Sequence, residues 1–124
     1  MSRIFFFDID NTLLDHRTRA IPDSALSAIE GLKHAGHTIV VATGRAYEHA
    51  KPFIDQVGPA WAITQNGSRI LSGTEVVLSV PLPRRRLVAL FDWAVARGHH
   101  FGINDGTVGY LDIQVPMTDR KSVV

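Results

Sequence analysis

The stretch Ile4-Phe5-Phe6-Phe7-Asp8-Ile9-Asp10-Asn11-Thr12 joins an apolar run to two carboxylates and a hydroxyl. The run Ile4–Phe7 has no polar alternation, which predicts a strand buried on both faces, as central strands of parallel sheets are. In open α/β sheets, ligands bind beyond the carboxyl ends of such strands. Asp8 and Asp10 are therefore expected at a ligand crevice, on the same side of the chain if strand geometry continues through Asp10.

The close spacing of two negative charges suggests that a cation binds here. Carboxylates this close repel each other unless something neutralises them, and Mg²⁺, a hard cation that prefers oxygen ligands, is the usual solution. An aspartate at a strand terminus can also attack phosphorus and form an aspartyl-phosphate. A second acid nearby can protonate the leaving oxygen and then activate water. The alternative is a polar turn after a buried strand.

The rest of the chain is predicted to follow the order β-α-β-α-β and then β-β-α-β-β. The boundary between these parts is placed near Asn66, where Asn66-Gly67 favours a tight turn. Apolar periodicity and turn residues indicate the individual elements. The predicted strands are 4–7, 38–42, 61–64, 69–71, 75–80, 100–103 and 108–111, and the predicted helices lie between residues 22 and 36, 46 and 57, and 84 and 97. The fold class is α/β, a parallel half-sheet followed by an α+β segment.

Composition excludes several classes of protein. The 124 residues contain no cysteine, which excludes disulfides, thiolate chemistry and cysteine-based zinc sites. A formal net charge of +1 gives no indication of a nucleic-acid partner. The apolar runs are far shorter than the roughly 20 residues needed to span a bilayer, and the first one ends at Asp8, unlike a signal peptide. We therefore expect a cytoplasmic protein with no membrane or nucleic-acid partner.

The segment Asp8-Ile9-Asp10-Asn11-Thr12 resembles the first motif, DxDx(T/V), of the haloacid dehalogenase (HAD) superfamily. Together with Thr43-Gly44-Arg45 and Asn66-Gly67, it is similar to the Cof-type sugar-phosphate phosphatases of that superfamily. The resemblance implies a Rossmann-like core in residues 1–66 and the start of an α/β cap domain in residues 67–124.

Roles for the acidic motif come with this resemblance. It implies that Asp8 is the nucleophile and a metal ligand, and that Asp10 is the general acid and base with its backbone carbonyl on Mg²⁺. Thr12 matches the last position of the motif, which mostly supports the loop. The implied metal ligands are therefore Asp8 and Asp10, and the implied cofactor is Mg²⁺.

The implied substrate-binding set consists of Thr12, Thr43, Gly44, Arg45 and Asn66. Thr43 matches a residue that hydrogen-bonds the transferring phosphoryl group, and the N–H groups of Gly44 and Arg45 would add an anion site at a helix N-terminus. A helix N-cap is the alternative for Thr43, a surface ion pair for the Arg45 side chain, and a plain turn for Asn66. His16 is a further candidate for substrate contact.

Two later motifs of the superfamily do not occur in the 124 residues. The lysines Lys33, Lys51 and Lys121 do not match the third-motif Lys, and no acidic pair of the fourth-motif type is present. A Mg²⁺ ion with two protein ligands would bind weakly. The chain is therefore expected to be a fragment, a truncated gene product, or a swapped or obligate homo-oligomer that rebuilds the missing C-terminal half.

The resemblance favours a Mg²⁺-dependent phosphatase of small phosphorylated metabolites, with sugar phosphates as the first candidates. The alternative is a catalytically inactive phosphate-binding or oligomerising remnant of the same fold. A receiver-like signalling domain is disfavoured, because its phosphoacceptor would follow the third strand, where this chain has Thr64-Gln65-Asn66.

Overall fold

A parallel sheet forms the first part of the chain, as predicted. The computed structural model describes residues 1–104 and 109–111. The three parallel strands lie side by side in chain order, and a helix follows each of the first two. The strands are β1 (Ile4–Phe7), β2 (Thr38–Ala42) and β3 (Trp61–Thr64), and the helices are α1 (Asp23–His34) and α2 (Tyr47–Val57).

The local sequence indicates where α1 begins and where both helices end. Asp23 lies in the first turn of α1, where a negative charge complements the helix dipole. The helix is followed by Gly36 with φ of +80°, a conformation that favours glycine. Helix α2 runs through Pro52 without division. It ends at Gly58, whose N–H donates to the carbonyl of Ile54 at 2.8 Å.

A hairpin extends the same sheet. Strands β4 (Arg69–Ser72) and β5 (Glu75–Ser79) pair antiparallel around Gly73, as predicted, and β4 pairs antiparallel with β3. Because these strands are hydrogen-bonded into one five-stranded sheet, the chain divides into compact units at 1–79 and 80–124. The division between core and cap at residues 66 and 67 stays a prediction.

Only one face of the parallel sheet carries the hydrophobic core. The prediction that β1 is buried on both faces is wrong, because Ile4 and Phe6 are each 62% exposed. Phe5 and Phe7, which alternate with them, pack against the core that the two helices cover. The opposite face is an open apolar concavity of about 240 Å³. It is lined by Ile4, Phe6, Thr38, Val40, Trp61, Ile63 and Ile70.

The segment from residue 8 to residue 21 is more than the polar loop that its charges suggest. An antiparallel bridge pairs Asp15 with Ala20, so this part of the segment is a short hairpin. The apolar side chains of the segment are buried in the core and hold it against the sheet. These residues are Ile9, Leu13, Leu14 and Ile21.

The second unit contains α3 (Arg84–Ala96), β6 (Gly102–Asn104) and β7 (Gly109–Leu111). Strands β6 and β7 pair antiparallel, as predicted, whereas the turn residues Asp105 and Gly106 lie outside the described residues. On the apolar side of α3, Ala94 is buried and Leu87 and Phe91 are partly buried, whereas Leu90 is 52% and Val95 67% exposed. Within the described part of the chain, no helix has the length and apolarity to cross a membrane.

Candidate functional site

A cavity of about 440 Å³ lies beyond the carboxyl ends of the parallel strands. Asp8 follows β1 directly and lines this cavity, as the strand-end argument predicts. Thr43, which follows β2, lines it too. The remaining lining residues are Ala42, Gly44, Ile63, Asn66 and Gly67.

A tight turn after Asp8 holds the two acids in place. The carbonyl of Ile9 accepts N–H groups from Thr12, Leu13 and Leu14 at 3.4, 3.1 and 2.9 Å. Ile9 is fully buried between two acids that solvent reaches. The alternation of burial along Asp8, Ile9 and Asp10 is the one expected from continued strand geometry. Thr12 itself is exposed.

The side chain of Asp8 is exposed at the cavity. Its Oδ1 accepts the N–H of Ile9 at 2.8 Å, which orients the carboxylate relative to the turn. A carboxylate has two oxygens with several lone pairs, so this hydrogen bond leaves capacity for a cation or for attack on an electrophile.

Asp10 is held by an arginine from the second strand's loop. The Nε of Arg45 donates to Oδ2 of Asp10 at 2.7 Å, and a terminal nitrogen donates to Oδ1 at 2.6 Å. The side chains are 30% and 37% exposed, so the ion pair remains open to water. The hydrogen bond from Arg45 lowers the pKa of Asp10, with a smaller opposing effect of burial. The surface ion pair foreseen as the alternative for Arg45 is therefore present, with Asp10 as its partner.

Thr43 is buried beside Asp8, with 6% of its surface exposed. Its hydroxyl oxygen accepts the N–H of Arg45 at 3.2 Å. The N-cap alternative for Thr43 is wrong, because α2 begins at Tyr47 and its N-cap is Ala46. For the same reason Gly44 and Arg45 lie in the loop before the helix, and the N–H of Arg45 already has an acceptor within the chain.

Asn66 connects the turn after β3 to the cavity, and its contact with a substrate stays a prediction. It lies in a tight turn with φ of +54°, a conformation that asparagine tolerates. Its side chain also lines the cavity and faces Gly44. Two backbone hydrogen bonds tie this turn to the loop after β2: the N–H of Gln65 donates to Arg45 at 2.9 Å, and that of Asn66 to Thr43 at 3.4 Å.

Two side-chain contacts next to the site were not predicted, although His16, which takes part in one of them, was itself a candidate. The ring of Phe53 on α2 lies under the guanidinium of Arg45, with 4.9 Å between Cζ and the ring centroid. Asn11 and His16 form a side-chain hydrogen bond of 2.7 Å next to Asp10. His16 contributes to lowering the pKa of Asp10, after Arg45. Neither contact has a local sequence signal, because each depends on how the loop folds back.

Metal ligands are sparse at the cavity. Over residues 1–104 and 109–111, no three or more His, Asp, Glu or Cys side chains gather into a group that could hold a metal ion. Asp8 is the carboxylate that opens into the cavity, whereas both oxygens of Asp10 accept hydrogen bonds from Arg45. A cation here would take Asp8, the backbone carbonyl of Asp10, water and the oxygens of a phosphorylated ligand, a donor set that Mg²⁺ accepts.

Relatives of known class match this chain. It is 32% identical over 93 residues to the protein YkrA of Bacillus subtilis strain 168, classed provisionally as a phosphatase; the match covers 75% of this chain and 36% of that protein. It is 40% identical over 73 residues to the HMP-PP phosphatase of Yersinia pestis, which covers 56% of this chain and 26% of that one. The chain therefore spans roughly a third of the length of these curated relatives.

A solved structure of similar fold comes from a sugar phosphatase of HAD subclass IIB. It superposes with a TM-score of 0.74 at 26% identity, covering 90% of this chain and 44% of that one. The family model of haloacid dehalogenase-like hydrolases matches residues 5–122. The chain belongs to the haloacid dehalogenase-like hydrolase family, whose fold it shares in its N-terminal sheet and whose members include phosphatases.

Proposed function

We propose that this chain provides the nucleophile of a Mg²⁺-dependent phosphatase that acts on small phosphorylated metabolites, sugar phosphates first among them. The observation that carries the proposal is the shared cavity: the carboxylate of Asp8 opens into the same space as Thr43, Gly44 and Asn66. Membership of a hydrolase family with phosphatase relatives supports the reaction class.

The chemistry has two displacement steps. An oxygen of Asp8 attacks the phosphorus of a phosphomonoester, forming a new O–P bond while the bond from phosphorus to the leaving oxygen breaks. Asp10 has to carry a proton in the substrate complex, against the lowering of its pKa by Arg45, and it donates this proton to the leaving oxygen. The Asp10 carboxylate then takes a proton from water, and the resulting hydroxide attacks the same phosphorus. Inorganic phosphate leaves and the Asp8 carboxylate is restored.

The other residues of the cavity bind and orient the phosphoryl group. The hydroxyl of Thr43 is buried at the cavity wall, where it could donate to a phosphoryl oxygen while its own oxygen accepts the N–H of Arg45. The carboxamide of Asn66 stands opposite, next to Gly44. A bound Mg²⁺ would offset the negative charge that Asp8 and the phosphoryl group bring together.

An inactive remnant is the second candidate, and two observations favour it. Both oxygens of Asp10 are occupied by Arg45, so Asp10 has to share its hydrogen bonds to transfer a proton. The open apolar face around Phe6 and Trp61 offers a surface for a C-terminal half or for another copy of the chain. Homo-oligomer formation, the small-metabolite partner and a cytoplasmic location stay predictions of the sequence.

The test is hydrolysis of para-nitrophenyl phosphate and of a panel of sugar phosphates, with and without Mg²⁺. We expect Mg²⁺-dependent turnover that falls about a thousand-fold or more in Asp8→Asn, because the nucleophile is lost. Asp55→Asn is the matched control: it removes one carboxylate from α2, where Asp55 pairs with Lys51 away from the cavity, and should leave turnover unchanged. Metal-independent hydrolysis, or full activity in Asp8→Asn, would exclude the proposed mechanism. No turnover by the purified chain would favour the remnant.

A further inference from the structure

The guanidinium of Arg45 is in a geometry that holds a carboxylate in one orientation. Two nitrogens of Arg45 donate to the two oxygens of Asp10, at 2.7 and 2.6 Å. A bidentate arginine–carboxylate pair restricts rotation of the carboxylate as well as its position, because the donors of the fork are coplanar. A lysine cannot reproduce this restriction with a single nitrogen.

Helix α2 supports the same guanidinium from the other side. The Cζ of Arg45 lies 4.9 Å from the centroid of the Phe53 ring, within cation–π range. Phe53 is partly buried and packs against the hydrophobic core. A terminal nitrogen of Arg45 also approaches the carbonyl of His49 at 3.5 Å. The arginine therefore connects a packed residue of α2 to the acid that follows β1.

We propose that Arg45 and Phe53 are positioning residues for Asp10: Phe53 supports the Arg45 guanidinium, which in turn fixes the Asp10 carboxylate relative to Asp8. This inference rests on the proposed function, since it assigns Asp10 the proton transfers described above. It also differs from the substrate-binding role that the family resemblance implies for Arg45. In the described structure the guanidinium contacts the acid, and Arg45 is not among the residues that line the cavity.

The physical reason is the short range of proton transfer. A general acid has to come within hydrogen-bond distance of the leaving oxygen, about 2.6–3.2 Å. A misplacement of about 1 Å can reduce the rate of a positioned group about a hundred-fold.

The experiment compares steady-state kinetics of Arg45→Lys, Phe53→Leu and Tyr47→Leu with Mg²⁺ on the sugar phosphate that the wild-type chain hydrolyses fastest, because its alkoxide leaving group needs a proton from Asp10, whereas para-nitrophenolate leaves without one. Arg45→Lys should lower kcat about ten- to a hundred-fold, with KM changed less than about two-fold. Phe53→Leu should lower kcat about two- to five-fold, since one cation–π contact is lost. Tyr47→Leu is the matched control: it removes the other aromatic ring of α2 that faces an arginine, where Arg69 lies 5.5 Å from the ring centroid, and kcat should stay unchanged.

A second measurement follows the ion pair itself and needs no turnover. In ¹⁵N-labelled protein, the Nε–H signal of Arg45 should exchange slowly with water, because that proton is donated to Asp10. The signal should disappear in Asp10→Asn, exchange faster in Phe53→Leu and stay unchanged in Tyr47→Leu. Fast exchange in the wild-type chain would overturn the proposal.

The kinetic outcomes separate this inference from the proposed function. A raised KM with unchanged kcat in Arg45→Lys would overturn the positioning role, because it would make Arg45 a substrate ligand. Unchanged kcat in Phe53→Leu and Arg45→Lys, with turnover still lost in Asp8→Asn, would overturn the positioning role alone. Absence of turnover in the wild-type chain would overturn the proposed function and the positioning role together.

Discussion

Replacing Gly44 with alanine should destabilise the protein through a specific overlap with Asn66. A Cβ atom at position 44 would lie 2.8 Å from Oδ1 of Asn66, 3.5 Å from its Cγ and 3.6 Å from its Nδ2. The first distance is below any normal contact, so one side chain has to move. The backbone of Asn66 is hydrogen-bonded to the loop containing Gly44, so the overlap has to be relieved by rotation of the Asn66 side chain. Glycine is required at position 44 because there is no space for a Cβ atom, and not because of the backbone conformation.

The expected cost is about 1 kcal/mol of the free energy of unfolding, at the lower end of the range for overpacking, because the overlap involves a side-chain end and not backbone. With an m-value of about 1–3 kcal/mol/M, the urea midpoint should fall by roughly 0.3–1 M. Gly31→Ala is the matched control, since a Cβ there meets nothing within 4 Å. Gly31 lies inside α1, so its alanine variant should gain up to about 1 kcal/mol. The two variants should therefore shift the midpoint in opposite directions.

A double-mutant cycle checks that the overlap is the cause. Asn66→Gly removes the carboxamide, and glycine adopts the φ of +54° at position 66 without strain. Gly44→Ala made in that background should cost almost nothing, which gives a coupling energy of about 1 kcal/mol. An equal cost of Gly44→Ala in both backgrounds would refute the reasoning, as would a stability equal to that of Gly31→Ala.

Two further predictions concern charged side chains. Lys33→Met should lower the free energy of unfolding, measured by urea titration, by about 1–2 kcal/mol. The reason is that Nζ of Lys33 donates to the carbonyl of Val57 at 2.5 Å and so joins α1 to the end of α2. Lys51→Met, which breaks an exposed ion pair within one helix, should cost under about 0.5 kcal/mol in the same titration. Since Arg45 lowers the pKa of Asp10 below its ordinary 3.8, Asp10→Asn should be less stable than the wild type above that pH, by under about 1 kcal/mol for such an open pair. The difference should shrink as the pH falls through the lower, folded-state pKa. Urea midpoints at pH 6 and pH 2.5 test this, and a difference that grows in acid would contradict it.

Much of the fold could be predicted because its signals are local. The apolar runs before Asp8 and Thr43 end at the carboxyl ends of parallel strands, and the structure places both residues at one cavity. Gly36 and Gly73 lie at turns with positive φ, as their positions in the pattern indicate. These features follow from side-chain periodicity and from the conformational freedom of glycine, which act over a few residues. The catalytic and substrate roles carried over from the family stay predictions.

What the sequence by itself determined is the identity of the elements and the pair of acids after the first strand. Only the tertiary structure decided which partners those acids meet. Arg45 and Asp10 are 35 residues apart, and their ion pair forms because β1 and β2 are parallel neighbours whose ends lie together. The same is true of Gly44 and Asn66, which meet because β3 lies beside β2. Burial is decided in the same way. Phe6 is a large apolar residue of the kind found in cores, yet it is exposed because the helices cover the other face of its strand.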